Sequence, residues 1–381
     1  MQDNSHSERM SAGERRAADS LALVFAFRML GMFMVLPVLA TYGMELHDAT
    51  PALIGLAIGA YGLTQAVLQI PFGMLSDRWG RLPVIYAGLL VFAAGAALAA
   101  TADSIWGVIA GRVLQGAGAI SAAVMALLSD LTREQHRTKA MAMIGMSIGL
   151  SFAVAMVLGP LLTRAFGLSG LFWSTAGMAL LGMLIIAWLV PRAPRALQHR
   201  ESAVARGSLW PALHHGELLR LDMGIFSLHA LLMASFVALP LALVEQGGLP
   251  RDEHWWVYLG ALLVGFFGML PFIIYGEKRR QMKRVLLAAI CLLLFCEVYF
   301  LLWGNSLWTL VLGFVLFFTA FNLLEASLPS LVSKVAPAAG KGAAMGVYAT
   351  SQFLGAALGG IAGGWLFQQY GVQGVFLGCA L

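Results

Sequence analysis

The sequence predicts an all-α membrane protein of twelve helical spans, arranged as two six-helix halves. Hydrophobic residues make up 60% of the 381 residues, charged residues make up 11%, and the mean hydropathy is +0.81. A soluble domain of this length does not need so apolar a composition for its core. A helix that crosses a bilayer needs about 20 apolar residues, and the apolar runs of this chain have that length. The chain is therefore predicted to cross a membrane many times.

Apolar runs place the predicted spans. The first half holds spans 1 to 6, near residues 19–43, 51–75, 82–102, 104–128, 138–161 and 168–190. The second half holds spans 7 to 11 and a truncated span 12, near residues 219–244, 254–275, 285–303, 306–332, 342–368 and 372–381. The predicted organisation is a cytoplasmic N-terminal segment (1–18), a first half (19–190), a central cytoplasmic loop (191–217) and a second half (218–381). Since ten residues rise only about 15 Å as a helix, we expect the chain to continue past Leu381.

Basic residues predict the orientation. With the N-terminus in the cytoplasm, twenty of the 24 Lys and Arg residues fall in cytoplasmic segments, and only Arg164 and Arg251 fall on the opposite face. The positive-inside rule therefore favours a cytoplasmic N-terminus. The net charge of +5 arises from these cytoplasmic Lys and Arg residues. Their distribution argues against nucleic-acid binding, because nucleic-acid binding needs a basic patch on a soluble surface.

The second half repeats features of the first at an offset of 200 to 203 residues. Four features recur in equivalent spans: Leu36-Pro37 and Leu239-Pro240, Pro71-Phe72 and Pro271-Phe272, Gly111 and Gly313, Lys139 and Lys341. Four matches in one register predict a duplicated six-helix unit. In parallel repeats of this kind the substrate site lies between the halves, near the middle of the membrane.

A short charged hinge, GMLSDRWGR at residues 73–81, separates spans 2 and 3. Glycines permit a tight turn and close helix contact, and an acid can face the positive end of a neighbouring helix. Arg81 can pair with an acid, and the nearest candidate is Asp130 at the end of span 4. A plain basic turn is the alternative. The predicted gate consists of Gly73, Asp77, Arg78, Gly80, Arg81 and Asp130.

Arg28, Arg112, His229 and Glu325 are ionisable residues inside the predicted spans 1, 4, 7 and 10. Such groups are costly in hydrocarbon unless they are paired or hydrated. Glu325 and His229 are predicted to carry protons, Glu325 foremost. The alternatives are that Glu325 is a structural partner of a basic group such as Arg28, and that His229 is a hydrogen-bonded packing residue. Asn322 lies one helical turn before Glu325 and is predicted to contact substrate.

Taken together, these motifs resemble those of the major facilitator superfamily. The hinge is similar to its motif A, and Arg112-Val-Leu-Gln115-Gly-Ala-Gly118 in span 4 is similar to motif B of its proton-coupled members. Gly159-Pro160 in span 5 stands where drug:proton antiporters carry a glycine-rich motif, although Ala155 and Leu162-Thr163 depart from that pattern. The segments 28–39, 129–135 and 321–325 most resemble bacterial YajR-type transporters.

This resemblance implies the twelve-helix major facilitator fold with a central cavity lined by spans 1, 4, 7 and 10. It implies substrate contact by Arg28, Gln115 and Asn322, proton coupling through Arg112, and helix packing at Gly159 and Pro160. Asp77 is implied to contact the start of span 11, near Lys341 to Ala343, and to favour the outward-open state. The resemblance also implies a monomer in the bacterial inner membrane and a soluble domain after the last helix.

The predicted function is proton-driven export of small amphipathic compounds by alternating access. The partners are then a small-molecule substrate, protons and the lipid bilayer, with no nucleic acid, no metal and no cofactor, the proton gradient supplying the energy. No Walker loop, metal-ligand spacing or activated nucleophile indicates an enzyme. Two alternatives remain open, which are proton symport of a nutrient and a membrane sensor or docking protein that does not transport.

Overall fold

Helices form nearly all of the part of the chain that the computed structural model describes, residues 10–191, 214–337 and 341–381. The first half consists of Ala12–Phe33 and Leu36–Tyr42 (span 1), Pro51–Trp79 (span 2), Arg81–Ala100 (span 3), Ile105–Ala117 and Ser121–Leu131 (span 4), and Glu134–Leu189 (spans 5 and 6). The second half consists of Gly216–Glu245 (span 7), His254–Lys278 (span 8), Met282–Trp303 (span 9), Leu307–Val335 (span 10), and Lys341–Ala380 (spans 11 and 12). Nine helices in these ranges are long and apolar enough to cross a membrane.

The first helix begins at Ala12, earlier than the predicted start at 19, so the predicted N-terminal segment is helical from residue 12. The reason is a capping box, in which Ser11 and Glu14 satisfy each other's backbone N–H groups. The Glu14 carboxylate also accepts three hydrogen bonds from Arg133, at 2.9 to 3.0 Å. Polar contacts at the membrane surface therefore extend helices beyond their apolar stretches, as in span 2, which ends at Trp79 rather than 75. Most of the predicted central loop, residues 192–213, lies outside the described residues.

Glycine interrupts both of the longest helices at equivalent places. Gly167 has φ 70° where span 5 meets span 6, and Gly371 has φ 66° where span 11 meets span 12. Positive φ favours glycine, because the Cβ atom of any other residue would lie too close to a backbone carbonyl oxygen. The two glycines stand 204 residues apart, so the structure adds a fifth pair to the repeat inferred from the sequence.

Packing also supports the repeat at Gly111 and Gly313. Gly111 lies against the backbone of Gly95 in span 3, and Gly313 lies against the Phe300 ring in span 9. Each glycine therefore allows the fourth span of its half to approach the third, where a larger residue would collide.

Small residues bring spans 2, 7 and 11 close together. Gly59 of span 2 lies against the Ala357 carbonyl, and Gly55 against the backbone of Gly360 and Gly364 in span 11. On its other side, span 11 places Gly359 against the Ala230 backbone of span 7. In a bilayer, where lipid is as apolar as the helices, such close backbone contact is a main source of helix association. Span 11 therefore connects the two halves.

Replacing Gly167 with Ala should lower the free energy of unfolding by about 1 to 2 kcal/mol, because alanine is strained at positive φ. Gly177→Ala is the matched control, since Gly177 is an exposed helical glycine with open space around it. The control should leave stability unchanged or raise it by up to about 1 kcal/mol. Thermal unfolding of the purified variants measures both changes in stability. Equal changes in Gly167→Ala and Gly177→Ala would contradict the need for glycine at the junction of spans 5 and 6.

Candidate functional site

Arg81 is the centre of the charged hinge. Its guanidinium donates to the Asp77 carboxylate, to Ser76 Oγ at 2.8 Å and to Asp130 Oδ2 at 3.3 Å, and only 6% of its side chain is exposed. Gly80 makes the turn between spans 2 and 3 with φ 95°, a conformation that suits glycine. The hinge is therefore fixed to the end of span 4 by a buried ion network, as the predicted pairing of Arg81 with Asp130 requires.

The remaining gate residues differ in their surroundings. Gly73 lies against Ala122 of span 4, whereas Arg78 is exposed. Asp77 bonds within its own hinge through Arg81. Asp77 is predicted to contact the start of span 11, near Lys341 to Ala343. The side chains of residues 341 and 342 lie outside the described part of the chain, and this contact stays a prediction.

Arg28 and Arg112 are both fully buried inside the first half. Arg28 donates to Gln65 Oε1, to the Gly118 carbonyl at 3.2 Å and to Ser121 Oγ at 3.4 Å. The Gly118 carbonyl lies where the helix of span 4 is interrupted, between Ala117 and Ser121, and it also accepts from the Ile120 backbone N–H at 2.9 Å. The sequence predicts one unbroken helix at 104–128, so the interruption is a correction.

Arg112 donates to Gln115 Oε1 at 3.0 Å and to the Ala57 carbonyl at 3.3 Å. Its guanidinium lies 4.8 Å from the centre of the Tyr61 ring, and that of Arg28 lies 5.9 Å from the same ring. Carbonyls, amides and an aromatic ring thus stabilise these charges.

Three polar residues form a hydrogen-bonded triad in the second half. The Gln352 amide nitrogen lies 2.8 Å from His229 Nε2 and 3.4 Å from Glu325 Oε1. His229 Nδ1 lies 3.3 Å from the Ile225 carbonyl oxygen, which can only accept, so Nδ1 carries the imidazole proton and Nε2 accepts from Gln352. Glu325 Oε2 has no hydrogen-bond partner among the described residues. The triad therefore leaves one carboxylate oxygen able to take a proton.

The structure brings some predicted site residues together and keeps others apart. His229 and Glu325 share Gln352, but Arg112 bonds within the first half and does not contact them. Arg28 likewise bonds to first-half groups, so it is not the partner of Glu325 in this arrangement. Asn322 forms no side-chain hydrogen bond in the described ranges. At the predicted packing motif, Gly159 lies against the Met34 carbonyl, and Pro160 follows inside the helix.

Two ion pairs join the halves at the end of the bundle opposite the hinge. Arg251 Nη1 lies 2.5 Å from Glu45 Oε1, and Arg164 Nε lies 3.4 Å from Asp252 Oδ2. The Arg251 guanidinium also lies 4.0 Å from the centre of the Tyr42 ring. Each half gives one acid and one base, and we call Glu45, Arg164, Arg251 and Asp252 the ion-pair lock. Its two arginines are the two basic residues that the positive-inside rule leaves on this face.

Sequence reasoning missed Gln352, Gln65 and the ion-pair lock. An amide in an otherwise apolar helix is the signal that could have pointed to Gln352 and Gln65. Arg164 and Arg251 stood out as exceptions to the charge bias, but their partners depend on how the halves dock.

Two repeated six-helix halves that meet around buried polar groups are the architecture of a secondary transporter. A sequence model described as Major Facilitator Superfamily matches residues 21–282 and 221–381. The chain belongs to this superfamily, and it is a membrane-embedded transporter protein.

Relatives agree with this family. The chain is 57% identical over 375 residues to the inner membrane transport protein YajR of Escherichia coli (strain K12), covering 98% of this chain and 82% of that protein. It is 26% identical over 343 residues to the multidrug resistance protein MdtH of Yersinia pestis (strain Pestoides F), and the match covers 89% of this chain and 83% of that protein.

Solved structures share the fold. The nucleoside transporter NupG superposes with a TM-score of 0.75 at 16% identity, covering 96% of this chain and 95% of that one. A bacterial homologue of the human lysosomal transporter Spinster, in an inward-facing conformation, gives a TM-score of 0.74 at 16% identity. The match covers 94% of this chain and 84% of that one.

Asp77→Asn should shift the population away from the outward-open state and leave ligand affinity of that state almost unchanged. The substitution removes a charge that would face the start of span 11, a contact of about 1 to 3 kcal/mol. Spin labels at the hinge-side ends of spans 2 and 11 report the shift as a change in their distance distribution. An unchanged distribution would contradict the gate, and Asp19→Asn, at an exposed pair with Arg15, serves as the control.

Proposed function

We propose that the protein is a proton-coupled exporter of small amphipathic compounds in the bacterial inner membrane, with its N-terminus in the cytoplasm. The triad of His229, Gln352 and Glu325 carries this proposal, because it offers a protonatable carboxyl group inside the membrane-spanning bundle. The names of two relatives, an inner membrane transport protein and a multidrug resistance protein, support the location and the substrate class.

Coupling follows from the cost of burying a charge. Ionised Glu325, whose side chain is 37% exposed, resists enclosure in an apolar environment, whereas the neutral acid does not. Proton uptake would therefore permit the halves to close over the triad, and proton release would favour reopening. Glu325 would carry the proton, while Gln352 and His229 hold its carboxyl group in place.

Buried aromatic rings next to the triad would offer an apolar surface to a substrate when the halves separate. The Phe321 ring lies 5.8 Å from the His229 ring and 6.4 Å from the Phe152 ring, measured between centres. Phe152 belongs to span 5 and Phe321 to span 10, so this cluster lies where the two halves meet. A compound with an apolar body and one polar group would contact both the rings and the triad.

Liposomes that contain the protein and a fluorescent amphipathic cation, ethidium, test the direction of transport. Antiport moves the dye opposite to an imposed proton gradient. Dye movement with the protons would indicate symport instead, and a flux that ignores the gradient, or no flux, would contradict proton coupling of this substrate class.

Glu325→Gln should abolish gradient-driven ethidium flux, because the amide holds no titratable proton. Glu297→Gln is the matched control, since Glu297 is a buried acid of the same half that bonds to Ser235 at 3.2 Å. The control should retain gradient-driven flux. Retention by Glu325→Gln, or equal loss in both variants, would overturn the assignment.

Arg251→Glu should open the end of the bundle that carries the ion-pair lock, because it places like charges opposite each other. The Arg251 and Glu45 side chains are 40% and 63% exposed, so their pair contributes only about 1 kcal/mol or less, roughly fivefold in population at most. Spin labels at residues 49 and 246 measure the opening. Adding Glu45→Arg should restore the original distances, and a double variant that stays open would contradict the lock.

A further inference from the structure

The outer surface of span 8 carries an apolar groove that the proposed transport path does not use. The groove has a volume of about 650 Å³ and is lined by Phe267, Leu270, Pro271, Ile274, Tyr275, Lys278 and Arg279. Its apolar residues are well exposed, with Phe267 at 64% and Tyr275 at 51%. Apolar side chains therefore form the floor, and two basic residues close one end.

A basic cluster continues from that end of the groove. Five of the seven residues from 278 to 284 are basic, and one acid, Glu277, precedes them. Lys278 and Arg279 are exposed, and neither side chain forms a hydrogen bond or ion pair within the described ranges. Further along, Gln281 Oε1 accepts from Tyr275 and from Arg284, both at 3.2 Å. Lys278 and Arg279 thus lie at the groove with their charges unpaired among the described residues, whereas Arg284 bonds to Gln281.

The first half uses the equivalent loop differently. There, Arg81 is buried and bonded to Asp77 and Asp130. The second-half loop has no such buried network among its described residues and keeps its cations in contact with the surroundings. Its charge is therefore available to something outside the protein.

We propose that this groove binds an anionic phospholipid, with the phosphate on Lys278 and Arg279 and an acyl chain along Ile274, Leu270 and Phe267. Eleven residues separate Phe267 from Lys278, which corresponds to about 16 Å along a helix. One leaflet of the hydrocarbon core measures about 15 Å, so the groove has the depth of a single acyl chain. The positive-inside rule explains why basic residues lie at this end of span 8. It does not explain why a groove as long as one leaflet ends at Lys278 and Arg279, which is the arrangement that a lipid phosphate would need.

Binding of phosphatidylglycerol to the delipidated, purified chain, followed by native mass spectrometry, tests the proposal. The variant Lys278→Gln/Arg279→Gln should lose about tenfold in affinity, because each basic residue near a headgroup contributes a severalfold factor. The matched control Lys283→Gln/Arg284→Gln removes the same charge from the same basic cluster but leaves the groove intact, and should change affinity less than twofold. Phosphatidylethanolamine should bind more weakly than phosphatidylglycerol to the wild type.

A third variant, Leu270→Trp, fills the groove and keeps every charge. It should also weaken phosphatidylglycerol binding, and its melting temperature without lipid verifies that it is folded. Equal losses in the two charge variants would overturn the site in favour of diffuse surface attraction. Unchanged binding in Lys278→Gln/Arg279→Gln, or displacement of the lipid by glycerol phosphate alone, would overturn it as well.

Discussion

A charge inside a membrane-spanning bundle has no water to stabilise it, and this constraint shapes both halves of the molecule. In the first half, Arg28 and Arg112 are surrounded by carbonyls, amides and the Tyr61 ring. The interruption of span 4 near Gly118 contributes to this stabilisation, because the Gly118 carbonyl there accepts from Arg28 as well as from the Ile120 backbone N–H. A local departure from helical geometry thus stabilises a buried cation, which hydrocarbon could not do.

The two halves meet the constraint differently. In the first half, Arg28 and Arg112 bond to amide, carbonyl and hydroxyl groups rather than to an acid, so that half is suited to act as a rigid body. In the second half, Glu325 Oε2 forms no hydrogen bond among the described residues and lies 3.9 Å from His229 Nδ1. The interface between the halves consists of close backbone packing at the glycines of spans 2 and 11 and of exposed ion pairs, which contribute little energy. The proposed alternating access requires the halves to separate and re-form, and exposed ion pairs oppose this only weakly.

Much of this architecture follows from simple patterns in the chain. Apolar runs located the spans to within several residues, and a shared register revealed the duplicated halves. The pairing of Arg81 with Asp130 was predictable because Arg81 begins span 3 and Asp130 lies at the end of span 4, on the same side of the bundle. Gln352 was not, because a lone amide in an apolar helix does not reveal which way it points. The break at Gly118 was equally hidden, since glycines also occur in unbroken membrane helices.

The sequence by itself determined that this protein is a multi-pass helical transporter, because hydrophobic length and motif spacing are properties of the linear chain. Tertiary structure alone decided that His229 and Glu325 share Gln352, that Arg28 stays within the first half, and that Arg251 meets Glu45. These partnerships depend on the rotation of each helix about its axis and on the docking of the halves. Neither quantity is encoded in a hydropathy pattern, because many rotations bury the same number of apolar residues.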